Sequence, residues 1–187
     1  MSKYRVVLDA CVLYPQGLRD LLMSLAAERI FKAHWSDQIH DEWIRNLHAN
    51  SGHSLEKLQK IRALMDLHVD DALVTGYEPL IAGLNLPDPD DRHVLATAIK
   101  CSANAIVTLN LKDFPPRALA PFGIEAIHPD DFIAYQIDMV PGPSCSAMKK
   151  MRQRLKNPEY TAAEFLSALK PRLPNTVTLL NDYQDLI

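Results

Sequence analysis

Hydrophobic and polar positions follow two alternating patterns along the chain. Short apolar runs, such as residues 4–8 and 105–108, are typical of strands buried on both faces of a parallel sheet. Between such runs, as in residues 17–30, apolar positions recur at intervals of three and four, which is the period of an amphipathic helix. Alternating strands and helices predict a three-layer α/β/α fold around a short central parallel sheet.

The remaining elements are predicted from the same patterns and from capping residues. The predicted strands are 4–9, 31–35, 105–108 and 123–127. The predicted helices are 17–30, 36–50, 54–67, 90–101, 129–137, 144–156, 161–169 and 174–183. Residues 70–86 give a mixed pattern, and residues 109–116 are predicted to form a loop.

A cluster of helix-breaking residues lies near the end of the chain. Residues 140–143 read Val-Pro-Gly-Pro, a combination that is typical of a boundary between structural units. It predicts a first domain at residues 1–140, followed by a small helical C-terminal extension at residues 141–187.

Composition places the chain among ordinary globular proteins. The 187 residues are 48% hydrophobic and 23% charged, and no apolar run approaches the ~20 residues that a membrane span needs. The three cysteines, Cys11, Cys101 and Cys145, form neither a zinc signature nor a redox pair, which is typical of a reducing compartment. We therefore expect a cytoplasmic protein without a membrane segment.

The net charge of −3 hides an uneven distribution of charged side chains. Residues 144–187 hold seven Lys or Arg and four acids, a balance of +3, so the preceding residues stand at −6. Five of the seven cations lie within residues 149–156. They are either the solvated face of a helix or a surface for phosphate groups, and charge alone leaves both interpretations open.

Acidic residues follow the predicted strands or begin the predicted helices. Asp9 ends the first strand, Asp113 follows the third, residues 88–91 hold three acids at a helix start, and Glu42 lies beside an apolar helix face. In open α/β sheets, ligands bind beyond the carboxyl ends of the strands. Carboxylates crowded there repel one another, and Mg²⁺ or Mn²⁺ relieves that repulsion. Taken singly, each acid is also explained as a cap, a turn former or a surface residue.

Four segments of the sequence resemble the PIN-domain family, and within it the VapC-like ribonuclease toxins of bacterial toxin–antitoxin pairs. The segments occur in the family's order, and they are residues 7–15, 35–42, 88–98 and 108–115. The tail after Pro143 is similar to the small helical C-terminal extension of one subgroup of these proteins. The resemblance implies a PIN-like nuclease domain at residues 1–140.

The resemblance also implies site residues, a cofactor and partners. Its acidic quartet, which would be catalytic and would bind Mg²⁺ or Mn²⁺, falls on Asp9, Glu42, Asp91 and Asp113, with Asp88 as an additional metal ligand. Thr108 and Asn110 match the family's substrate-positioning residues. The implied activity is metal-dependent endoribonuclease cleavage by the toxin of a toxin–antitoxin pair, with an RNA substrate, a cognate antitoxin and a homodimeric state. The basic residues proposed to contact RNA phosphates are Lys149, Lys150, Arg152 and Arg154.

Two alternatives remain open at this point. The first is another Mg²⁺-dependent phosphate hydrolase with an aspartyl nucleophile, although such enzymes resemble Asp-x-Asp and here Cys11 stands two residues after Asp9. The second is a non-catalytic PIN-like binding module. His93 lies inside the third of the four matching segments and either approaches the site or serves as a surface or capping residue, with the second interpretation preferred. Cys11 is interpreted as a small core residue rather than a nucleophile.

Overall fold

Four parallel strands form the centre of the protein, a computed structural model that describes residues 4–187. The strands are β1 (Arg5–Leu8), β2 (Lys32–His34), β3 (Ala105–Val107) and β4 (Glu125–Ile127). Their order in the sheet is β2-β1-β3-β4, and every pair is parallel. Helices cover the sheet, so the predicted three-layer α/β/α fold is confirmed.

Helices account for most of the remaining described residues. The α-helices are α1 (Ala10–Leu13), α2 (Gln16–Ala27), α3 (Asp37–Ser51), α4 (Leu55–His68), α5 (Glu78–Ile81), α6 (Arg92–Lys100), α7 (Pro116–Leu119), α8 (Pro129–Met139), α9 (Pro141–Arg154), α10 (Ala162–Leu169) and α11 (Pro174–Leu180). Short 3₁₀ helices cover Pro89–Asp91, Leu111–Asp113, Ala120–Phe122 and Asn181–Leu186. Among residues 4–187, no helix is both long and apolar enough to cross a membrane.

The strand register brings the carboxyl ends of the strands to one edge of the sheet. Val7 of β1 pairs with His34 of β2 and with Ile106 of β3. Val7 and Ile106 are fully buried, as expected for strands covered on both faces. Because all four strands run in the same direction, the residues that follow β1 and β3 emerge side by side.

Two segments differ from their sequence-based description. Within residues 70–86, Leu73 forms an isolated parallel bridge with Trp35, and α5 follows it. At residues 140–143 the chain bends at Val140, but α9 already begins at Pro141, three residues before the predicted start. Proline is tolerated in the first turn of a helix because the missing N–H has no intrahelical partner there.

The C-terminal helices pack on the same hydrophobic core as the sheet. Phe132 of α8 meets Phe31 edge-on, with ring centroids 4.8 Å apart. Met148 of α9 and Leu180 of α11 are fully buried in the cluster that contains β1. The division into residues 1–140 and 141–187 stays a prediction.

Asp130 connects the beginning of α11 to the beginning of α8. Its side chain is 3% exposed and accepts hydrogen bonds from the backbone N–H groups of Asn175 and Thr176, both at 2.8 Å. The hydroxyl of Thr176 donates to the backbone oxygen of Asp130 at 3.1 Å. One buried carboxylate thus satisfies two N–H groups that the first turn of a helix leaves without intrahelical partners.

A buried polar network joins α3 to α4. Trp35 Nε1 donates to Asp66 Oδ1 at 2.7 Å, and Trp43 Nε1 donates to His40 Nδ1 at 3.0 Å. Since Nδ1 of His40 accepts a hydrogen bond, its proton lies on Nε2, which is 3.2 Å from Asp66 Oδ1. Burial lowers the pKa of His40. The network keeps α3, which carries Glu42, against α4.

Candidate active site

Asp9 lies at the carboxyl end of β1 and caps α1. The residue is 3% exposed, and its backbone N–H donates to Val107 O at 3.1 Å, which ties it to β3. Asp9 Oδ1 accepts the backbone N–H of Ala10 at 2.7 Å. Burial raises the pKa of this carboxyl, although the hydrogen bonds to it act in the opposite direction.

The second oxygen of Asp9 is held by two side chains. Thr108 Oγ1 donates to Asp9 Oδ2 at 2.7 Å, and Cys11 Sγ donates to the same oxygen at 3.1 Å. Thr108 accepts the N–H of Asn110 at 3.0 Å, while Cys11 accepts the N–H of Leu109 at 3.2 Å. Burial raises the pKa of the Cys11 thiol to about 12, so the thiol stays protonated and donates. Cys11 is therefore a partner of the carboxylate, which its interpretation as a core residue did not predict.

Asp91 lies between a short 3₁₀ turn and α6. The turn Pro89–Asp91 is capped by Asp88, whose Oδ1 accepts the N–H of Asp90 at 2.9 Å. Asp91 is half-buried, whereas Asp88 and Asp90 are exposed. Of the three acids at this helix start, Asp91 thus faces inward.

The pKa of Asp91 indicates how the acids are arranged. It is raised to about 7, first by burial and then by the negative charges of Asp9, Asp88, Asp113 and Glu42. Three of these four carboxylates, those of Asp9, Glu42 and Asp113, come from other parts of the chain. The structure brings the acids together beyond the carboxyl ends of β1 and β3, as the parallel topology requires.

Glu42 approaches this crevice from α3 and has a histidine partner. Its Oε2 lies 3.5 Å from Nε2 of His93, which is 8% exposed and belongs to α6. Of the two interpretations of His93, the structure therefore favours a residue that approaches the site over a surface or capping residue. It follows Asp91 by two residues, so the helix start that carries Asp91 also places an imidazole beside Glu42.

Asp113 lies in the segment after β3. It ends the 3₁₀ helix Leu111–Asp113, and its N–H donates to Asn110 O at 3.0 Å. At the start of this segment, the backbone N–H groups of Leu109 and Asn110 donate to Cys11 and Thr108, as described above. The segment at residues 109–116, predicted to be a loop, is therefore bound at its start by the same two side chains that hold Asp9.

The crevice offers carboxylate oxygens to a ligand. Such hard donors suit Mg²⁺ or Mn²⁺, and a dication would offset the repulsion that raises the pKa of Asp91. Within residues 4–187, no three His, Cys, Asp or Glu side chains lie together tightly enough to hold one ion. The donor chemistry fits a dication, and metal ligation by these residues stays a prediction.

Three of the four basic side chains predicted to bind RNA have partners within the chain. Lys150 Nζ lies 2.5 Å from Glu28 Oε1, and Arg154 Nη2 donates to Ser24 Oγ at 2.9 Å. The third, Arg152, donates to two backbone oxygens of the C-terminal part. Ser24 and Glu28 lie at the end of α2, just before β2 begins beside the start of β1. These contacts are thus at the opposite edge of the sheet from the carboxylates. RNA binding by Lys149, Lys150, Arg152 and Arg154 stays a prediction.

A cavity of about 440 Å³ also lies near that opposite edge. Its lining includes Arg29, Lys32 and Asp70, and Arg29 pairs with Asp70 at 2.7 Å. Because Lys32 begins β2, this cavity is separated from the acidic crevice by the length of the sheet.

Replacing Arg152 by Ala is expected to destabilise the C-terminal helices. Arg152 donates to Tyr160 O at 2.7 Å and to Ile187 O at 3.1 Å, so its loss removes two charge-assisted hydrogen bonds. We expect the free energy of unfolding in urea to fall by about 1–3 kcal/mol. Lys149→Ala, at an exposed position of the same helix, is the control and should cost less than about 0.5 kcal/mol. Equal costs would contradict a structural role for Arg152.

Comparison with known families identifies the first part of the chain. Residues 5–112, more than half of the chain, match the PIN domain family. The chain belongs to the PIN domain family. The matched part of this PIN domain contains three of the four predicted catalytic acids, and Asp113 lies one residue beyond it.

The C-terminal part of this PIN-domain protein matches a second family. Residues 129–182, from the start of α8 onward, match the VapC50 C-terminal domain. A Mycobacterium tuberculosis protein named "Putative ribonuclease VapC50" is 41% identical to the chain over 103 residues. This alignment covers 55% of the chain and 60% of the length of that relative. No solved structure matches the chain.

Proposed function

We propose that the protein is a metal-dependent endoribonuclease that hydrolyses RNA phosphodiester bonds. The observation that carries this proposal is the arrangement of Asp9, Glu42, Asp88 and Asp113 around half-buried Asp91 in a PIN domain, where burial and these charges raise the pKa of Asp91 to about 7. Repulsion within such a cluster is relieved by protonation or by a bound dication, and the oxygen donors suit the dication. The ribonuclease name of the relative from Mycobacterium tuberculosis supports an RNA substrate.

Each residue of the crevice has a proposed role. Asp9, Asp91 and Asp113 would hold Mg²⁺ or Mn²⁺ directly or through water, with Asp88 as an additional ligand. When bound, the ion would supply Lewis acidity at the scissile phosphate. Glu42 would orient the attacking water.

Neighbouring side chains would keep these carboxylates in place. Thr108 and Cys11 hold one oxygen of Asp9 through the hydrogen bonds described above, and His93 lies beside Glu42. Asn110, bound to Thr108 through its backbone, would position the substrate at the crevice.

The biological setting belongs to the same proposal. The protein would act in the cytoplasm as the toxin of a toxin–antitoxin pair, and a cognate antitoxin would block the acidic crevice. A homodimer is the proposed assembly. The support is the match of residues 129–182 to the VapC50 C-terminal domain together with the named relative.

Cleavage of a mixed RNA pool tests the proposed function. We expect the purified protein to cleave RNA in Mg²⁺ or Mn²⁺ and to lose this activity in EDTA, because the acids would then lack their cation. Products are measured on a denaturing gel. Cleavage that continues in EDTA would contradict the proposed metal dependence. RNA binding without cleavage in any buffer would favour a non-catalytic binding module, and release of inorganic phosphate from phosphomonoesters would favour another phosphate hydrolase.

Thermal melting should detect the cation independently of cleavage. Mg²⁺ at about 100 times its dissociation constant should stabilise the folded protein by about 2.7 kcal/mol. For a chain of this length, that gain raises the melting temperature by on the order of 5–10 °C.

Asp91→Asn should change this melting behaviour in two ways. Without metal, the variant should melt above the wild-type protein, because it removes the charge that burial and four carboxylates disfavour. With Mg²⁺, its gain should be much smaller than that of the wild type. The same gain in both proteins would show that Asp91 is not a ligand.

A further inference from the structure

A small pocket with basic lining residues has no role so far. It has a volume of about 90 Å³ and lies between the beginning of α2, the end of α3 and the beginning of α4. Its polar lining includes Arg19, His53, Lys57 and Tyr14, while Leu47 and Leu58 provide an apolar wall. We call it the Arg19 pocket.

Arg19 brings a buried positive charge to this pocket. The residue is 4% exposed, its guanidinium lies 5.1 Å from the ring centroid of Trp43, and its Nη1 donates to Leu13 O at 2.8 Å. Among residues 4–187, no carboxylate forms an ion pair with it within 4.0 Å; Asp20 acts on it only from a longer distance. A buried cation without a close counter-ion is costly, so an anion in the pocket would be favoured.

Two more basic groups, Lys57 and His53, line the pocket together with Arg19. Lys57 Nζ lies 3.5 Å from His53 Nδ1, and both side chains come from the capped start of α4. Elsewhere on this helix the cations are neutralised, since Lys60 pairs with Glu56 at 2.7 Å and Arg62 pairs with Asp37. Within the described residues, Lys57 forms no salt bridge with a carboxylate. Its ammonium group therefore adds positive charge to the pocket.

Two residues that line the pocket lie a short way along the chain from candidate site carboxylates. Tyr14 follows Asp9 by five residues, and Leu47 follows Glu42 by five residues on α3. Along α3, five residues rise by about 7.5 Å. A strand of RNA with one phosphate at the acids can therefore place a neighbouring phosphate at this pocket.

We infer that the Arg19 pocket binds a backbone phosphate of single-stranded RNA, next to the phosphate that is cleaved. This inference rests on the proposed function and names a subsite of its substrate. The acidic crevice repels phosphate, whereas the pocket attracts it with a buried guanidinium and an exposed ammonium group. The pocket would therefore fix the register of the RNA, and the carboxylates would act on the adjacent bond.

Binding of a 12-nucleotide single-stranded RNA in EDTA tests the subsite without any cleavage. Lys57→Ala should weaken binding about tenfold. The slope of log affinity against log salt should become shallower by about 0.7, the value for one phosphate on a single strand. Lys60→Ala, one turn along α4 and paired with Glu56, is the matched control and should leave both quantities unchanged. Fluorescence anisotropy measures both.

Replacing one phosphate of the RNA at a time by a neutral linkage identifies the phosphate that the pocket binds. When a methylphosphonate replaces one linkage at a time, the cost of Lys57→Ala should vanish at a single position of the RNA. Equal losses in the Lys57 and Lys60 variants, no binding by the wild type, or saturation by inorganic phosphate that leaves RNA bound would each overturn the inference. Absent cleavage would overturn the proposed function instead, because this assay requires no chemistry.

Discussion

Asp91→Asn is expected to reduce RNA cleavage in Mg²⁺ by on the order of a hundredfold to a thousandfold. Asp91 lies where the charges of Asp9, Asp88, Asp113 and Glu42 all act on it, so its carboxylate would be central to cation binding. The amide of Asn keeps the size of the side chain but removes its charge. Single-turnover cleavage of one defined RNA measures the loss, and the melting temperature without metal confirms that the variant folds.

Asp90→Asn is the matched control for this experiment. Asp90 precedes Asp91 directly, belongs to the same 3₁₀ turn and is exposed, so the same change there should alter cleavage by less than about twofold. An Asp91→Asn protein that retains its activity, or an Asp90→Asn protein that loses as much, would show that the wrong acid is assigned to the site.

Asp130→Ala is expected to cause the largest loss of stability. The substitution leaves the N–H groups of Asn175 and Thr176 without their acceptor in a buried place and removes a charged partner from both. We expect the free energy of unfolding to fall by about 3–5 kcal/mol. The melting temperature should fall by roughly 10 °C.

Asp131→Ala separates this role from a general effect at the start of α8. Asp131 also contacts Asn175, through the side-chain Nδ2 at 2.8 Å, but it is exposed. Its removal should cost about 0.5–1 kcal/mol in the same denaturation experiment. If both variants lose stability equally, the buried carboxylate does not anchor α11.

The sheet was predictable because its signals are local. Buried parallel strands give short runs of apolar residues, and β1 and β3 stand out for this reason. The bridge between Trp35 and Leu73 was not predictable, because Leu73 pairs with a residue 38 positions earlier and shows no period of its own. At Pro141 the sequence indicates a helix boundary, but it does not distinguish a linker from a bend between two helices.

Within the site, the acids were easier to predict than their partners. Asp9 and Asp113 follow strands, so the topology alone brings them to one edge. The contacts of His93 and Cys11 depend on how α6 and the segment after β3 face Asp9 and Glu42, which no local pattern encodes. The burial of Arg19 was also not predictable, because its position over the ring of Trp43 arises only when α2 and α3 pack together.

The network around His40 has a consequence for solution experiments. Trp35 and Trp43 are the two tryptophans of the chain, and both belong to it. All indole fluorescence of the protein therefore originates at α3 and the residues just before it. A molecule seated against Glu42 would perturb that emission without an attached dye, so the helix that carries one of the candidate carboxylates also carries its own spectroscopic label.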